Sequence, residues 1–228
     1  MEFFEVIHTR RSTRYFTEQP VGDELVEKII DAARWAPTAC NRQAYRFIRI
    51  TDKKILRNLV EAFSSFYIEK SPVVILVCYS NRTDNVEYRD YIQSAGAVIQ
   101  NMQLAATALG LGAAWSDTLP PKNYVRKLLK IPWHYDPLAI VSIGHPGAKI
   151  KALPRKHEVK ELVSYNKFDF PKVDEYNQYK FFSVKNLRLM IKTFLRYVFF
   201  RLPGPVKKLL MPIARKVERR FDKYNIEM

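Results

Sequence analysis

The sequence predicts a mixed helix-and-strand domain, of α/β or α+β class with a sheet flanked by helices, followed by a basic helical extension. Three observations carry this. Helical and strand-like patterns alternate along residues 2–147. Two continuous apolar runs rich in β-branched residues, "PVVILVCYS" (72–80) and "PLAIVSIGHPG" (137–147), read as buried strands. The charge is also divided unevenly. Of the net +15, residues 181–228 supply 12 Lys/Arg against 3 Asp/Glu, more than half of the excess in about a fifth of the chain.

The elements follow in order. Residues 2–10 read as a short helix with Phe3, Phe4 and Ile7 on one side. Residues 23–35 form a second, with Leu25, Ile29, Ala32 and Ala33 at helical spacing, ending before Pro37. "YRFIRI" (45–50) fits a strand with one wet face. Residues 52–66 look helical, and 72–80 form the central strand. A long, Ala-rich and almost uncharged helix spans 91–109, and Gly110 to Gly112 stop it. Its small residues Ala95, Gly96, Ala97, Ala105, Ala106 and Ala108 permit close backbone approach, so burial is expected. Gln100 and Asn101 on it then need partners. The strand 137–147 ends in turn residues.

Composition bounds the function classes. With 47% hydrophobic and 13% aromatic residues in 228, the chain can bury a sizeable core and is not of disordered type. Cys40 and Cys78 lie far apart, so no disulfide framework is expected and a reducing cytoplasm fits. His8, His134, His145 and His157 are scattered without metal-ligand spacing, and no metal is expected. Glu2, Glu5 and Glu18 interrupt the basic N-terminus, which argues against a transit peptide, and no apolar run there makes a secretory signal.

Four stretches could carry chemistry. In "HTRRSTRYF" (8–16), Arg10, Arg11 and Arg14 can fork onto phosphate oxygens and Ser12 can add a hydroxyl. A solvated basic turn is the plain alternative. In "WAPTACNRQAYRF" (35–47), Pro37 breaks a helix before Thr38, Asn41 and Gln43, whose amides both donate and accept. Such groups can read a heterocycle edge or simply cap their own loop. The helix "SAGAVIQNMQLAATALGLGAAW" (94–115) is a core element in any case. "IGHPG" (143–147), followed by Arg155 and Lys156 in "LPRKHE", places a strand end where ligand crevices form, or a surface loop.

Taken in order, these four blocks resemble the FMN-dependent nitroreductase family over roughly residues 1–165: its RRSxRxF, PSxxNxQPWRF, Ala-rich helix ending GLG, and IGxP. The resemblance implies an α+β fold with a central, mainly antiparallel β-sheet flanked by helices in an intertwined homodimer. Residues 1–166 would form the FMN-binding domain and 167–228 a basic amphipathic C-terminal helical extension. It further implies that Arg10, Arg11, Ser12 and Arg14 hold the FMN phosphate, with Arg155 closing the cradle and Lys156 a neighbouring candidate. Pro37, Thr38, Ala39, Asn41 and Gln43 would reach the flavin from the partner subunit. Trp115, Ser116, Asp117 and Thr118 would lie near its reactive face, with Gly144 and His145 in the same pocket. The flavin would do the redox chemistry, which accounts for the lack of a catalytic nucleophile constellation and of GxGxxG. NADH or NADPH would serve as co-substrate in ping-pong turnover with a small nitroaromatic- or quinone-like acceptor. Two other readings share the scaffold: a membrane-associated flavin-binding accessory protein without general turnover, and a specialised dehalogenase or desaturase. The sequence departs from the pattern at Gln93 and Ser94, where an acidic residue is common, and at "QAY" (43–45) in place of QPW. Cys40, beside the proposed flavin contacts, reads as a small packing residue.

The extension has its own logic. In "FFSVKNLRLMIKTFLRYVFF" (181–200), Lys185, Arg188, Lys192 and Arg196 form a basic stripe on an apolar helix. About twelve apolar residues at roughly −0.5 kcal/mol each do not offset four central cations at roughly +3 each, so spanning a bilayer is disfavoured. Lying in an anionic interface fits better. "LPGPV" (202–206) breaks the chain, and Val206, Leu209, Leu210, Ile213, Val217 and Phe221 make a second apolar face. Docking on a membrane at the inner face or on a protein partner, packing on the dimer, and contact with nucleic acid are the three options. No nucleic-acid motif supports the last.

Overall fold

The computed structural model describes residues 1–170 apart from 63, 84, 149 and 151–153, and beyond these residues 191, 194–195, 198–199, 201–206, 209–210 and 212. The chain divides into two units, Met1–Ala152 and Leu153–Met228. The basic stripe of the extension and half of its second apolar face, Ile213, Val217 and Phe221, lie outside the described residues.

Unit one is a four-stranded sheet between helices. Its strands are β1 (Tyr45–Arg49), β2 (Val73–Ser80), β3 (Gly112–Ser116) and β4 (Tyr135–Gly144). They lie in the order β1-β2-β4-β3, every neighbouring pair antiparallel. Helices α1 (Phe3–Thr9), α2 (Asp23–Arg34), α3 (Lys53–Glu61), α4 (Asp90–Ala108) and α5 (Lys122–Leu129) connect and cover it. The architecture is therefore α+β, as the resemblance implies.

β2 is central because it is apolar on both faces. Val73, Ile75 and Val77 join one core cluster with Val26, Ile29, Val98, Ile99 and Met102 of α2 and α4. Val74, Leu76 and Cys78 join a second with Leu56, Leu59 and Val125 of α3 and α5. The alternation of side chains along a strand sorts them onto two faces. Where β2 meets β4 the register skips Leu138 and shifts between Val77 and Cys78. Pro137 lies at this break, where its missing N–H is tolerated.

Three expectations are corrected. The helix over 52–66 stops at Glu61 and a 3-10 turn follows at Phe66–Lys70; between them the Ser64 N–H returns to the Leu59 carbonyl at 2.9 Å, and the Ser65 hydroxyl is taken by Ser116 rather than by the helix. Asp52 starts it, accepting from the Lys54 N–H at 2.7 Å. β1 does not have one wet face. Arg46 and Arg49 are both exposed but three residues apart, so they fall on opposite faces. β4 begins at Tyr135 and ends at Gly144, earlier than the apolar run suggests.

α4 is buried as its composition requires. Asn101 donates to the Ala32 carbonyl at 3.0 Å, tying α4 to α2, whereas Gln100 is exposed and needs no protein partner. Gly110 takes φ +75, the left-handed residue that ends the helix without a Cβ penalty.

Candidate functional site

The basic turn is sewn to the edge of the sheet. After α1 the chain runs parallel to β3, with a bridge between Ser12 and Ala113. The Thr13 N–H donates to the Ala113 carbonyl at 2.9 Å, and the Thr17 N–H to the His145 carbonyl at 2.9 Å. A second bridge joins Phe16 to Pro146. Two glycines make this possible. A Cβ on Gly112 would meet three Thr13 side-chain atoms at 2.6 Å, and one on Gly144 would meet Pro72 Cδ at 2.7 Å and Phe16 Cδ1 at 2.8 Å. Gly144 is thus covered by packing, and its part is to let the strand approach the loop. His145 is half-buried and offers its carbonyl to Thr17.

The three arginines are used differently. Arg10 Nη1 donates to Gln103 Oε1 on α4 at 3.3 Å. The Arg14 guanidinium lies 6.0 Å from the centroid of the Tyr67 ring. Arg11 turns back and donates to the His8 and Arg10 carbonyls at 2.6 and 2.8 Å, closing the end of α1. All three are half-buried, and among the described residues Arg11 and Arg14 form no ion pair. Positive charge that is partly desolvated and not neutralised by a protein carboxylate suits a bound anion.

Beyond Ala113, β3 carries Trp115 at 41% exposure. Its Cη2 lies 3.7 Å from the place a Cβ would take on Gly96, an ordinary contact distance, so the indole lies against α4. Ser116 is buried, and its Oγ is 3.0 Å from Ser65 Oγ. Asp117 is exposed and Thr118 half-buried.

The loop after α2 is bonded to itself and to α4. Thr38 Oγ1 accepts from the Gln43 N–H at 3.1 Å, and Gln43 Nε2 donates to Asn41 Oδ1 at 2.8 Å. The Ala39 N–H donates to Ser94 Oγ at 3.0 Å, which gives the departure at Ser94 a use. Cys40, Asn41 and Gln43 stand at φ 51, 52 and 47. Left-handed conformations in residues other than glycine cost about 1 kcal/mol or more each and gather at functional sites. Pro37 and Cys40 are exposed, so Cys40 does not act as a packing residue in this chain.

One chain does not bring all these residues together. Ser12 bridges Ala113, two residues before Trp115 on β3, Arg10 reaches Gln103, His145 meets Thr17, and Ser116 is buried against Ser65. The 37–43 loop is tied to Ser94, nine residues before Gln103 on α4, a rise of about 13 Å. Arg155 and Lys156 are exposed in the second unit, just before a 3-10 turn at Val159–Leu162 with a capping box between Glu158 and Glu161. Sequence reading missed Thr13, Gln103, Tyr67 and Ser65. Gln103 had a signal, a polar side chain on an Ala-rich helix; the others had none that local pattern exposes. Among the described residues no cluster of His, Cys, Asp or Glu could hold a metal.

The fold and basic turn define an α+β domain with a cationic sheet edge. The chain belongs to the nitroreductase family, whose profile it matches over residues 7–71 and 64–145. It is 34% identical over 149 residues to a putative NADH dehydrogenase/NAD(P)H nitroreductase of Archaeoglobus fulgidus, covering 64% of this chain and 86% of that protein. It is similar to the structure of an FMN-dependent nitroreductase from Clostridium difficile, with TM-score 0.64, 28% identity and coverage of 72% and 99% of the two chains. It also resembles the NADPH:FMN oxidoreductase of Vibrio harveyi complexed with NAD+, with TM-score 0.69, 25% identity and coverage of 78% and 82%.

Proposed function

We propose that this chain is an FMN-dependent oxidoreductase that takes a hydride from NADH or NADPH and passes it to a small nitroaromatic- or quinone-like acceptor. The observation that carries the reading is the half-buried cationic edge, where Arg11 and Arg14 lack an ion pair among the described residues. FMN supplies reversible hydride chemistry when bound. Its phosphate, with roughly two negative charges and strong acceptor oxygens, suits Arg10, Arg11, Ser12 and Arg14.

The active unit is a homodimer, with the 37–43 loop of one subunit completing the cationic edge of the other. Its separation from Arg10 along α4 supports this. Trp115 to Thr118 would then border an opening that nicotinamide and acceptor occupy in turn, giving ping-pong kinetics. Asn41 and Gln43 would orient the flavin through their amides, and Trp115 would exclude water.

Replacing Arg10 and Arg14 with alanine should give folded, colourless protein. In stopped flow, NADH or NADPH should bleach the wild-type flavin. A yellow protein that neither nicotinamide bleaches would instead indicate an accessory flavin binder, and an acceptor screen separates general reductase from dehalogenase or desaturase.

Residues 181–228 would dock on an anionic surface at the inner face of the membrane or on a partner protein, a reading supported by their share of the net charge. Among the described residues no helix is long and apolar enough to cross a membrane. Truncation after Tyr165 should keep FMN and abolish flotation with anionic liposomes. An intact protein that never floats removes this reading.

A further inference from the structure

Among the described residues of unit one, the least exposed carboxylate is far from the cationic edge in role, yet it touches the supports of both loops that the flavin reading needs. Asp136, 4% exposed at the start of β4, receives four donors. Lys122 and Arg126 of α5 pair with its two oxygens. Asn81 Nδ2 donates to Oδ1 at 3.0 Å, and Tyr91 OH to Oδ2 at 3.4 Å.

Each donor leads somewhere. Lys122 is the first residue of α5, so its grip fixes the far end of the connection 117–121, which begins with Asp117 and Thr118. Arg126 also donates to the Tyr135 and Trp133 carbonyls at 3.2 and 3.3 Å, locking α5 onto β4. Asn81 donates to the Trp133 carbonyl at 2.9 Å as well, and holds the segment just after β2. The 37–43 loop leans on that segment. Arg42 Nη1 donates to the Arg82 carbonyl at 3.0 Å, and the Ser80 N–H to the Ala44 carbonyl at 3.1 Å. Tyr91 lies one turn before Ser94, which holds the Ala39 N–H.

We propose that Asp136 is a positioning residue for the flavin reaction: through Lys122 it places the 117–121 connection, and through Asn81 it places the 37–43 loop. This rests on the flavin reading. A buried carboxylate that only stabilised the fold could be satisfied by one partner on one element. Here it joins β4 to the flanks of two separate loops. One of these loops is a short connection that ends at Lys122, and the other, which carries three left-handed residues, leans through Arg42 on the segment that Asn81 holds. Small displacements of such supports matter, because misplacing reacting groups by about 1 Å can cost up to a hundredfold in rate.

The test begins with the full-length wild-type protein loaded with FMN. If it holds no FMN, or neither nicotinamide bleaches it, the flavin reading itself fails before any variant is compared. Three variants are then measured well below their own melting temperatures: Asp136→Asn, Lys122→Met and Asn81→Ala. Asp136→Asn should raise the FMN Kd and lower the bleaching rate constant, each about tenfold. Lys122→Met should raise KM for the nicotinamide and lower kcat with FMN Kd within twofold of wild type. Asn81→Ala should chiefly raise the FMN Kd. Adding either to Asp136→Asn should bring little further loss of the parameter it affects. Lowered melting temperatures with Kd, KM and kcat all within twofold would overturn the proposal. So would equal changes in every parameter from the two single-arm variants. If Asp136→Asn does not fold, the split between Lys122→Met and Asn81→Ala decides alone.

Discussion

Gly112 has no room for a methyl group, and this makes the attachment of the basic turn measurable. In Gly112→Ala the new Cβ would stand 2.6 Å from Thr13 Cβ, Cγ2 and Oγ1, closer than carbon atoms approach. Thr13 is 4% exposed and bonded through its N–H to the neighbouring Ala113 carbonyl, so it has no free direction in which to retreat. Overpacking of this kind costs about 1–3 kcal/mol. In a protein of this size each kcal/mol lowers the melting temperature by about 2–4 °C, so the expected fall is about 2–12 °C. The strain is relieved by moving Ser12 to Arg14 off the β3 edge. FMN affinity should therefore fall about tenfold, equivalent to about 1.4 kcal/mol at the arginines. Differential scanning fluorimetry and flavin fluorescence titration measure the two effects. Removing the obstructing side chain in the double variant Thr13→Gly, Gly112→Ala should recover part of both. A single variant that melts within 1 °C of wild type and keeps its FMN would refute the idea that this close approach holds the turn.

Further outcomes are expected elsewhere. Burial alone would push the Asp136 carboxyl up, but hydrogen bonds from Lys122 and Asn81 and the charges of Lys122 and Arg126 outweigh it and hold the group below its ordinary 3.8. Its stabilisation is therefore complete above the unfolded value and is lost as pH falls through the lower folded one. The melting difference between wild type and Asp136→Asn should be flat from neutral pH to about pH 5 and shrink below about pH 4; a difference that grows on acidification contradicts the sign. Burial pushes the Cys78 thiol up to about 12, outweighing the Arg126 charge that lowers it, while Asp136 raises it further. A thiol reagent at pH 8 should therefore label one cysteine, exposed Cys40, in the native chain and both after denaturation. Ser94→Ala leaves the Ala39 N–H without its 3.0 Å acceptor and should cost about 1–2 kcal/mol, with weaker FMN binding. Unchanged melting and affinity there would mean that water replaces the hydroxyl.

Long elements with one dominant pattern were legible in the sequence, and short ones were not. α2, β2 and α4 stand within a residue or so of their expected ends, because apolar spacing, Pro37 and Gly110 mark them. β3 escapes pattern reading, since "GAAWS" has neither β-branched residues nor alternation. It is a strand because β4 pairs with it and Thr13 requires a glycine beside it. α5 is only eight residues, three of them basic and none acidic, held by Val125 in the core and by Asp136. The ordered motifs picked out the cationic turn and the polar loop. They did not distinguish Arg11, which closes α1, from Arg10 and Arg14, because neighbouring arginines differ only in the direction the chain gives them. Asp136 carried no signal, for its donors come from positions 81 to 126 and meet only in the fold.

The spacing of two anchor points along α4 also has a genetic consequence. In the proposed homodimer, with Gln103 beside Arg10 and Ser94 beside Ala39, damage to the arginine strip and damage to the polar loop would strike different halves of a shared site. Two inactive chains, one lacking Arg10 and Arg14 and the other with Thr38 and Asn41 replaced, should complement each other when mixed. Each hybrid dimer then carries one site built wholly from intact halves and one built wholly from damaged ones. Random reassortment in equal amounts should restore about a quarter of wild-type activity from two preparations that separately have none.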